Sequence, residues 1–253
     1  MHDDQRSRRT VESSIRTALV WEAVSRAANE RREQLGRPLS VLDLGGGSGG
    51  FAVPLAEDGH DVVVVDPSPD ALASLGRRAG EAGVADRVHG YQGDAATLPG
   101  PVTAKVDLVC CHGVLEYVDD AAATLAAVRE VLADDGILSL LVAQRIAAVL
   151  SRALAGQFEA ANAVLLSEDG RWGESDPMPR RFDADTILDL LDEAGLTSTS
   201  MQGVRVFSDL VPSAYLDTEA DRDQLLALER AITEHDELLG RLGAGLHVIA
   251  VRD

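Results

Sequence analysis

Two rhythms of apolar and polar positions organise this chain. Residues 10–35 set Val11, Ile15, Ala18, Leu19 and Ala23 three or four places apart, with Arg and Glu between them. That period predicts an amphipathic helix, closed by Gly36-Arg37-Pro38. From residue 40 short apolar runs take over. Runs at 40–44, 61–65, 87–92, 106–111 and 137–143 predict strands, and helical periods at 51–57, 69–82 and 121–132 predict helices between them. Gly93–Ala96 and Asp134-Asp135-Gly136 read as turns. Such alternation predicts an α/β fold with a mostly parallel, doubly wound sheet. The rhythm breaks at Arg145. Ile146, Val149, Leu150, Ala153, Leu154 and Phe158 continue at helical spacing over 145–166, and a polar stretch with two prolines fills 167–179. We read 145–181 as a lid-like helical insertion within a single domain spanning 1–253, preceded by an N-terminal helical segment at 1–38. A helix over 185–194, a strand over 196–207, a charged helix over 218–239 and a strand over 246–251 complete the pattern. In the 218–239 helix, Leu225, Leu226, Leu228, Ala231 and Ile232 are expected to face the core.

Composition sharpens this picture. Of 253 residues, 45% are apolar but only 4% aromatic, so the core must be built of Val, Leu, Ile and Ala, which suits a parallel sheet covered on both faces. No apolar run approaches the roughly 18 residues that span a bilayer, and residues 1–6 lack the apolar stretch of a signal peptide. Adjacent Cys110 and Cys111 would point to opposite faces of a strand; they read as buried hydrophobes in a reducing cytoplasm, not as a disulfide or metal site. A net charge of −19 opposes phosphate binding as a global field while leaving room for a local basic patch.

The candidate chemistry begins at Asp43-Leu44-Gly45-Gly46-Gly47-Ser48-Gly49, which fits D-x-G-x-G-x-G at a strand-to-helix turn. Glycines let the backbone turn sharply and approach a ligand, and the following helix offers free N–H groups. Gly45, Gly47 and Gly50 also satisfy the dinucleotide pattern G-x-G-x-x-G. Asp43 favours a cationic ligand over a pyrophosphate, pointing to the methionine end of S-adenosylmethionine. Asp66 closes the second strand, where a carboxylate can accept from both ribose hydroxyls or cap the next helix. Asp94, after the third strand, can meet an adenine amino group or serve its own turn.

Three further segments carry a resemblance: VDLVCCHGVLEYV at 106–118, GVRVFSD around Arg205, and the stretch from Phe182 to the final GLHVIAVRD. With VLDLGGGSGG, they make the chain resemble the bacterial tRNA 5-carboxymethoxyuridine methyltransferase family from Ser14 onward. That resemblance implies a class I, seven-strand Rossmann-like methyltransferase fold whose last two strands form an antiparallel edge hairpin. It implies S-adenosylmethionine as cofactor, contacted by Arg16, Gly45, Gly46, Asp66, Ala95, Ala96 and His112. Where that family's insertion carries a lysine run, this chain has Leu166-Ser167-Glu168-Asp169-Gly170.

Methyl transfer from a sulfonium needs alignment more than acid–base chemistry. A carboxylate acceptor is already ionised at neutral pH, and Arg205, set in an apolar strand between Val204 and Val206, is the residue expected to hold it. His112 is expected to pack beside the sulfonium or to act as a base for a hydroxyl. Glu116 and Tyr117 are expected to begin the next helix, with one of them lining the acceptor pocket. Arg180-Arg181, just before the next helix, reads as a solvated pair in preference to a contact for an anionic substrate. The acceptor is either a tRNA or a small metabolite. Two other classes use the same loop: a nicotinamide oxidoreductase and a non-catalytic cofactor-binding protein.

Overall fold

The computed structural model describes residues 17–212, 215–216, 218–235 and 241–252. Seven strands form one sheet: β1 Ser40–Leu44, β2 Asp61–Asp66, β3 Val88–Gln92, β4 Val106–His112, β5 Leu132–Ala143, β6 Leu196–Val204 and β7 Gly245–Arg252. Their order is β3-β2-β1-β4-β5-β7-β6. The first five pair in parallel, and β7 runs antiparallel between β5 and β6. The expected C-terminal hairpin is therefore present, with β6 at the sheet edge.

Among the described residues, eight α-helices connect or flank the strands: α1 Ala18–Leu35, α2 Ala52–Glu57, α3 Pro69–Glu81, α4 Ala121–Val131, α5 Arg145–Leu154, α6 Phe158–Leu166, α7 Ala184–Glu193 and α8 Glu219–His235. Their ends follow local chemistry. Gly36 closes α1 in the left-handed region at φ 66°. Ser68 caps α3 by accepting from the Ala71 amide, with Pro69 in the first turn. Asp120 caps α4 through the Ala123 amide. Each face of the sheet buries its own apolar layer. One, under α1, α2 and α3, includes Val24, Val41, Leu55, Val64 and Cys110. The other, under α4 and α7, includes Leu42, Val109, Cys111, Leu125 and Ile187. The two cysteines thus point to opposite faces, both buried and unpaired.

Several expectations are corrected. The insertion is two helices, not one, broken where Gly156 adopts φ 72°. Strand β6 ends at Val204, so Arg205 leaves the sheet with φ 61°. The expected 134–136 turn is a bulge within β5: Val106 pairs with Leu132 and Leu108 with Ile137, and Asp135 takes φ 56°. Leu228 is exposed, and Glu229 is buried in its place. Glu116 and Tyr117 lie in a turn that precedes α4 rather than in the helix. Arg181 is buried against Asp176 instead of being solvated. Of the 10–35 helix, residues 10–16 lie outside the described residues, as do 236–239 of the last predicted helix.

Candidate functional site

The parallel strands β1, β2 and β4 all end on one side of the sheet, and the loops there enclose a cleft of about 710 Å³. That volume lies within the range of small-molecule and cofactor sites. Gly45, Asp66, Asp94, Ala95 and Ala96 line it from the β1, β2 and β3 ends, and Tyr117 lines it from the β4 side. Sequence-predicted residues from three separate loops are therefore brought to one cavity.

The glycine loop is held by its neighbours. The Gly45 amide donates to the Val65 carbonyl at 2.7 Å, and the Gly47 amide donates to Asp66 Oδ2 at 2.9 Å. Gly45 has φ 70°, and a Cβ there would stand 2.6 Å from Val114 Cγ2. A Cβ at Gly46 would overlap the Asp43 carboxylate. Gly46, Gly47 and Gly49 shape this turn without lining the cleft. Asp66 also accepts from the Ser68 amide at 2.9 Å. Two backbone donors fix its carboxylate at the cleft wall, and a carboxylate has further lone pairs for a ligand hydroxyl. The helix cap is Ser68, not Asp66.

Asp94 caps the short 3-10 turn at Ala95–Thr97, accepting from the Ala96 amide at 3.0 Å while lining the cleft. Asp43 is buried beneath the loop, and its Oδ2 has no hydrogen-bond partner among the described residues. Burial, with help from Asp66, pushes its carboxyl up to about 7. An unpartnered buried carboxyl under a glycine cradle suits a cationic ligand better than a pyrophosphate. Arg16 lies outside the described residues.

His112 is not among the residues lining the cleft. It stands at the end of β4, with Phe51 edge-on at 4.6 Å between ring centroids. Its Nε2 lies 2.8 Å from Ser139 Oγ, which in turn lies 2.8 Å from His247 Nε2. This chain crosses β4, β5 and β7. Burial lowers His112 to about 3 and His247 to about 4, so both rings are neutral at neutral pH. The single serine proton can serve only one ring, so at least one of the two imidazoles must donate its Nε2–H to the serine oxygen. No sequence signal marks Ser139 or His247, because only the strand register joins residues 27 and 108 positions apart.

A second cavity of about 200 Å³ opens beyond the end of β5. Gln144, Arg152, Trp172, Arg181 and Arg205 line it. Arg205 is therefore placed at this cavity rather than at the cleft; its nearest acid, Asp209, is 3.6 Å away. Between the cavities, the Ala143 amide donates to Glu116 Oε1 at 2.6 Å. The other Glu116 oxygen is buried without a partner among the described residues, and burial raises its carboxyl. Among the described residues no group of His, Cys, Asp or Glu is placed to hold a metal, and no helix is long and apolar enough to cross a membrane.

Comparison with known proteins agrees with this geometry. The family described as "Methyltransferase domain" matches residues 42–138, from β1 into β5. The tRNA 5-carboxymethoxyuridine methyltransferase of Escherichia coli (strain K12) is 30% identical over 241 residues, covering 95% of this chain and 89% of that protein. The magnesium protoporphyrin IX methyltransferase of Synechocystis PCC 6803, solved with bound SAH, superposes with a TM-score of 0.58 at 17% identity, covering 92% of this chain and 83% of that one. An S-adenosylmethionine dependent methyltransferase from Mesorhizobium loti gives a TM-score of 0.58 at 21% identity, covering 85% and 91% respectively.

Proposed function

We propose a reaction from one premise: this chain belongs to the S-adenosylmethionine-dependent methyltransferases, in the family that includes the tRNA 5-carboxymethoxyuridine methyltransferase. The reaction is transfer of a methyl group to the carboxylate of a modified wobble uridine in tRNA, giving a methyl ester. The observation that carries this reading is the likeness over nearly the whole chain to an enzyme whose name states that acceptor. The shared fold alone would leave the acceptor open.

The residues suit the cofactor. Asp66 is held by Gly47 and Ser68 with lone pairs left for ribose hydroxyls, Ala95 and Ala96 line the side of the cleft expected to take the adenine, and Asp43, buried beneath the loop without lining the cleft, is expected to favour a cationic ligand. Bound S-adenosylmethionine supplies an activated methyl, whose C–S bond breaks with its electron pair going to sulfur as the acceptor oxygen bonds to carbon. No proton moves when the acceptor is a carboxylate. That fits a cleft with no histidine among its described lining residues, where the protein contributes alignment and exclusion of water.

A second reading, methylation of a small carboxylate- or hydroxyl-bearing metabolite, is favoured by the net charge of −19 and by Glu168-Asp169 in the insertion. The test is direct. The protein is incubated with S-adenosylmethionine and tRNA bearing 5-carboxymethoxyuridine, and the ester is sought by mass spectrometry of the nucleosides. Ester formation is expected in the wild type. In Asp66→Ala the cofactor should bind at least about tenfold more weakly, because a charge-assisted hydrogen bond contributes roughly 1.5–3 kcal/mol. Tight cofactor binding with no ester on this tRNA would overturn the tRNA assignment.

A further inference from the structure

Half of the large apolar side chains exposed among the described residues lie in the hairpin of α5 and α6: Leu150, Leu154, Phe158, Leu165 and Leu166, between 37% and 73% exposed. Their spacing is regular. Leu150 and Leu154 are one turn apart on α5, and Phe158 is two turns from Leu165 and Leu166 on α6, so each helix turns one apolar stripe outward. None of the residues of α5 is fully buried, although Ile146, Val149 and Ala153 extend its stripe. Helix α6 buries Ala161 and Val164 on its other side. The two helices pack against each other, and Leu154 and Phe158 flank the Gly156 turn that joins them. Monomeric proteins rarely leave a contiguous apolar patch of this extent to water, and such patches mark contact sites.

Charge narrows the occupant. Residues 145–166 hold three charged side chains, Arg145, Arg152 and Glu159, while the whole chain carries −19. Both cations are engaged within the molecule. Arg145 pairs with Asp183 at 2.9 Å and donates to the Ser167 and Glu168 carbonyls. Arg152 lies 3.7 Å over the Trp172 ring, which Arg181 flanks at 4.6 Å, and donates to Gln157 Oε1 at 2.7 Å. An anionic bilayer or a polynucleotide calls for free cations beside the apolar stripe. Neither arginine is free for that role, and Glu168 and Asp169 follow the hairpin. A second copy of this chain makes no such demand. Two molecules of net charge −19 repel each other over most of their surfaces, and least where a near-neutral apolar face meets its own copy.

We infer that the α5–α6 hairpin is the interface of a homodimer, packed on its twofold-related copy. Its size suits that role. A standard interface takes about 800 Å² and 20–30 residues from each partner, and a hairpin running from Arg145 to Leu166 lies within that length. A twofold contact needs one self-complementary patch. Apolar stripes on two antiparallel helices meet that need by forming a four-helix arrangement with their copies. Arg145 and Arg152 tie the hairpin to Asp183 and Trp172, so the surface is built before the partner arrives.

Sedimentation velocity and light scattering on the full chain, across the micromolar range, test this. A dimer is expected that tightens as salt is raised, because screening removes repulsion between the two net-negative bodies while the apolar contact persists. In Leu154→Glu and Phe158→Glu each substitution occurs twice per dimer. Each should raise the dissociation constant by about a hundredfold, a tenfold loss at each of two symmetric positions. Both side chains are mostly exposed, so the variants should keep the wild-type circular dichroism spectrum. Flotation with phosphatidylcholine vesicles, with and without phosphatidylserine, examines the competing occupant. A wild type that is monomeric throughout overturns the dimer; if it also floats with vesicles and the variants do not, the stripe is a membrane contact. A wild-type dimer that loosens with salt, or that persists unchanged in both variants, is held by another face and equally overturns this assignment.

Discussion

Asp43 shows how one buried side chain couples folding to pH. Its carboxyl is buried beneath Gly46 and pushed up to about 7, first by burial and then by Asp66. An aspartate in the unfolded chain titrates near 3.9. Between about pH 4 and 7 the folded protein therefore holds a proton that the unfolded chain has lost, and stability contributed by this group falls as pH rises through that window. A cation bound at the glycine loop favours the ionised form and lowers that value again. Binding of S-adenosylmethionine near pH 6 should then release a proton. Calorimetry in two buffers of different ionisation enthalpy reads this as a buffer-dependent heat, lost in Asp43→Asn. A heat independent of buffer in the wild type would show that Asp43 does not sense the ligand. The spacing of Asp43, the glycines and Asp66 was legible in the sequence because it is local to one strand-helix-strand unit, β1-α2-β2. The burial that leaves Asp43 Oδ2 unpartnered was not, since it depends on packing from two faces.

At the scale of elements, the parallel strands and their helices were readable because each carries its own period and its own cap, as Ser68 and Asp120 show. The misreadings fall where a single residue changes the backbone. Gly156 splits the insertion into α5 and α6, and Arg205 turns out of β6 although Val204 and Val206 extend the apolar run. Contacts between distant strands carry no sequence signal at all. The His112–Ser139–His247 chain is of this kind, and it ties β4, β5 and β7 together. Ser139→Ala would leave two buried imidazole nitrogens without their partner, at a cost of roughly 1–3 kcal/mol. Thermal or urea unfolding should show a loss of that size; an unchanged midpoint would mean that the bridge contributes nothing. Both histidines titrate far below the ordinary 6.5. Below that pH the unfolded chain takes up protons that the folded chain refuses, so this pair's contribution to stability is present above 6.5 and is lost as pH falls toward 4. His247→Gln should make acid unfolding less steep over that window.

For the whole molecule, the decisive quantity is charge. With 42 acidic residues against 23 Lys and Arg, the field around the protein repels a polyanion. An enzyme of this composition can act on tRNA only through a local cluster of cations; around the second cavity three arginines gather, two of them facing Asp176 and Asp209. Each phosphate of a single strand that is neutralised contributes a slope of about −0.7 in log affinity against log salt. If the acceptor is an anticodon loop held mainly through the ring and its carboxylate, few phosphates are engaged. The KM for modified tRNA should then rise with salt with a slope of about one or two, well short of proteins that grip many phosphates. The KM for the free nucleoside should change far less, because it carries no phosphate. A flat tRNA profile together with equal KM values for tRNA and nucleoside would place all recognition in the ring and its carboxylate. The polynucleotide would then be dispensable, and the small-molecule reading would take precedence.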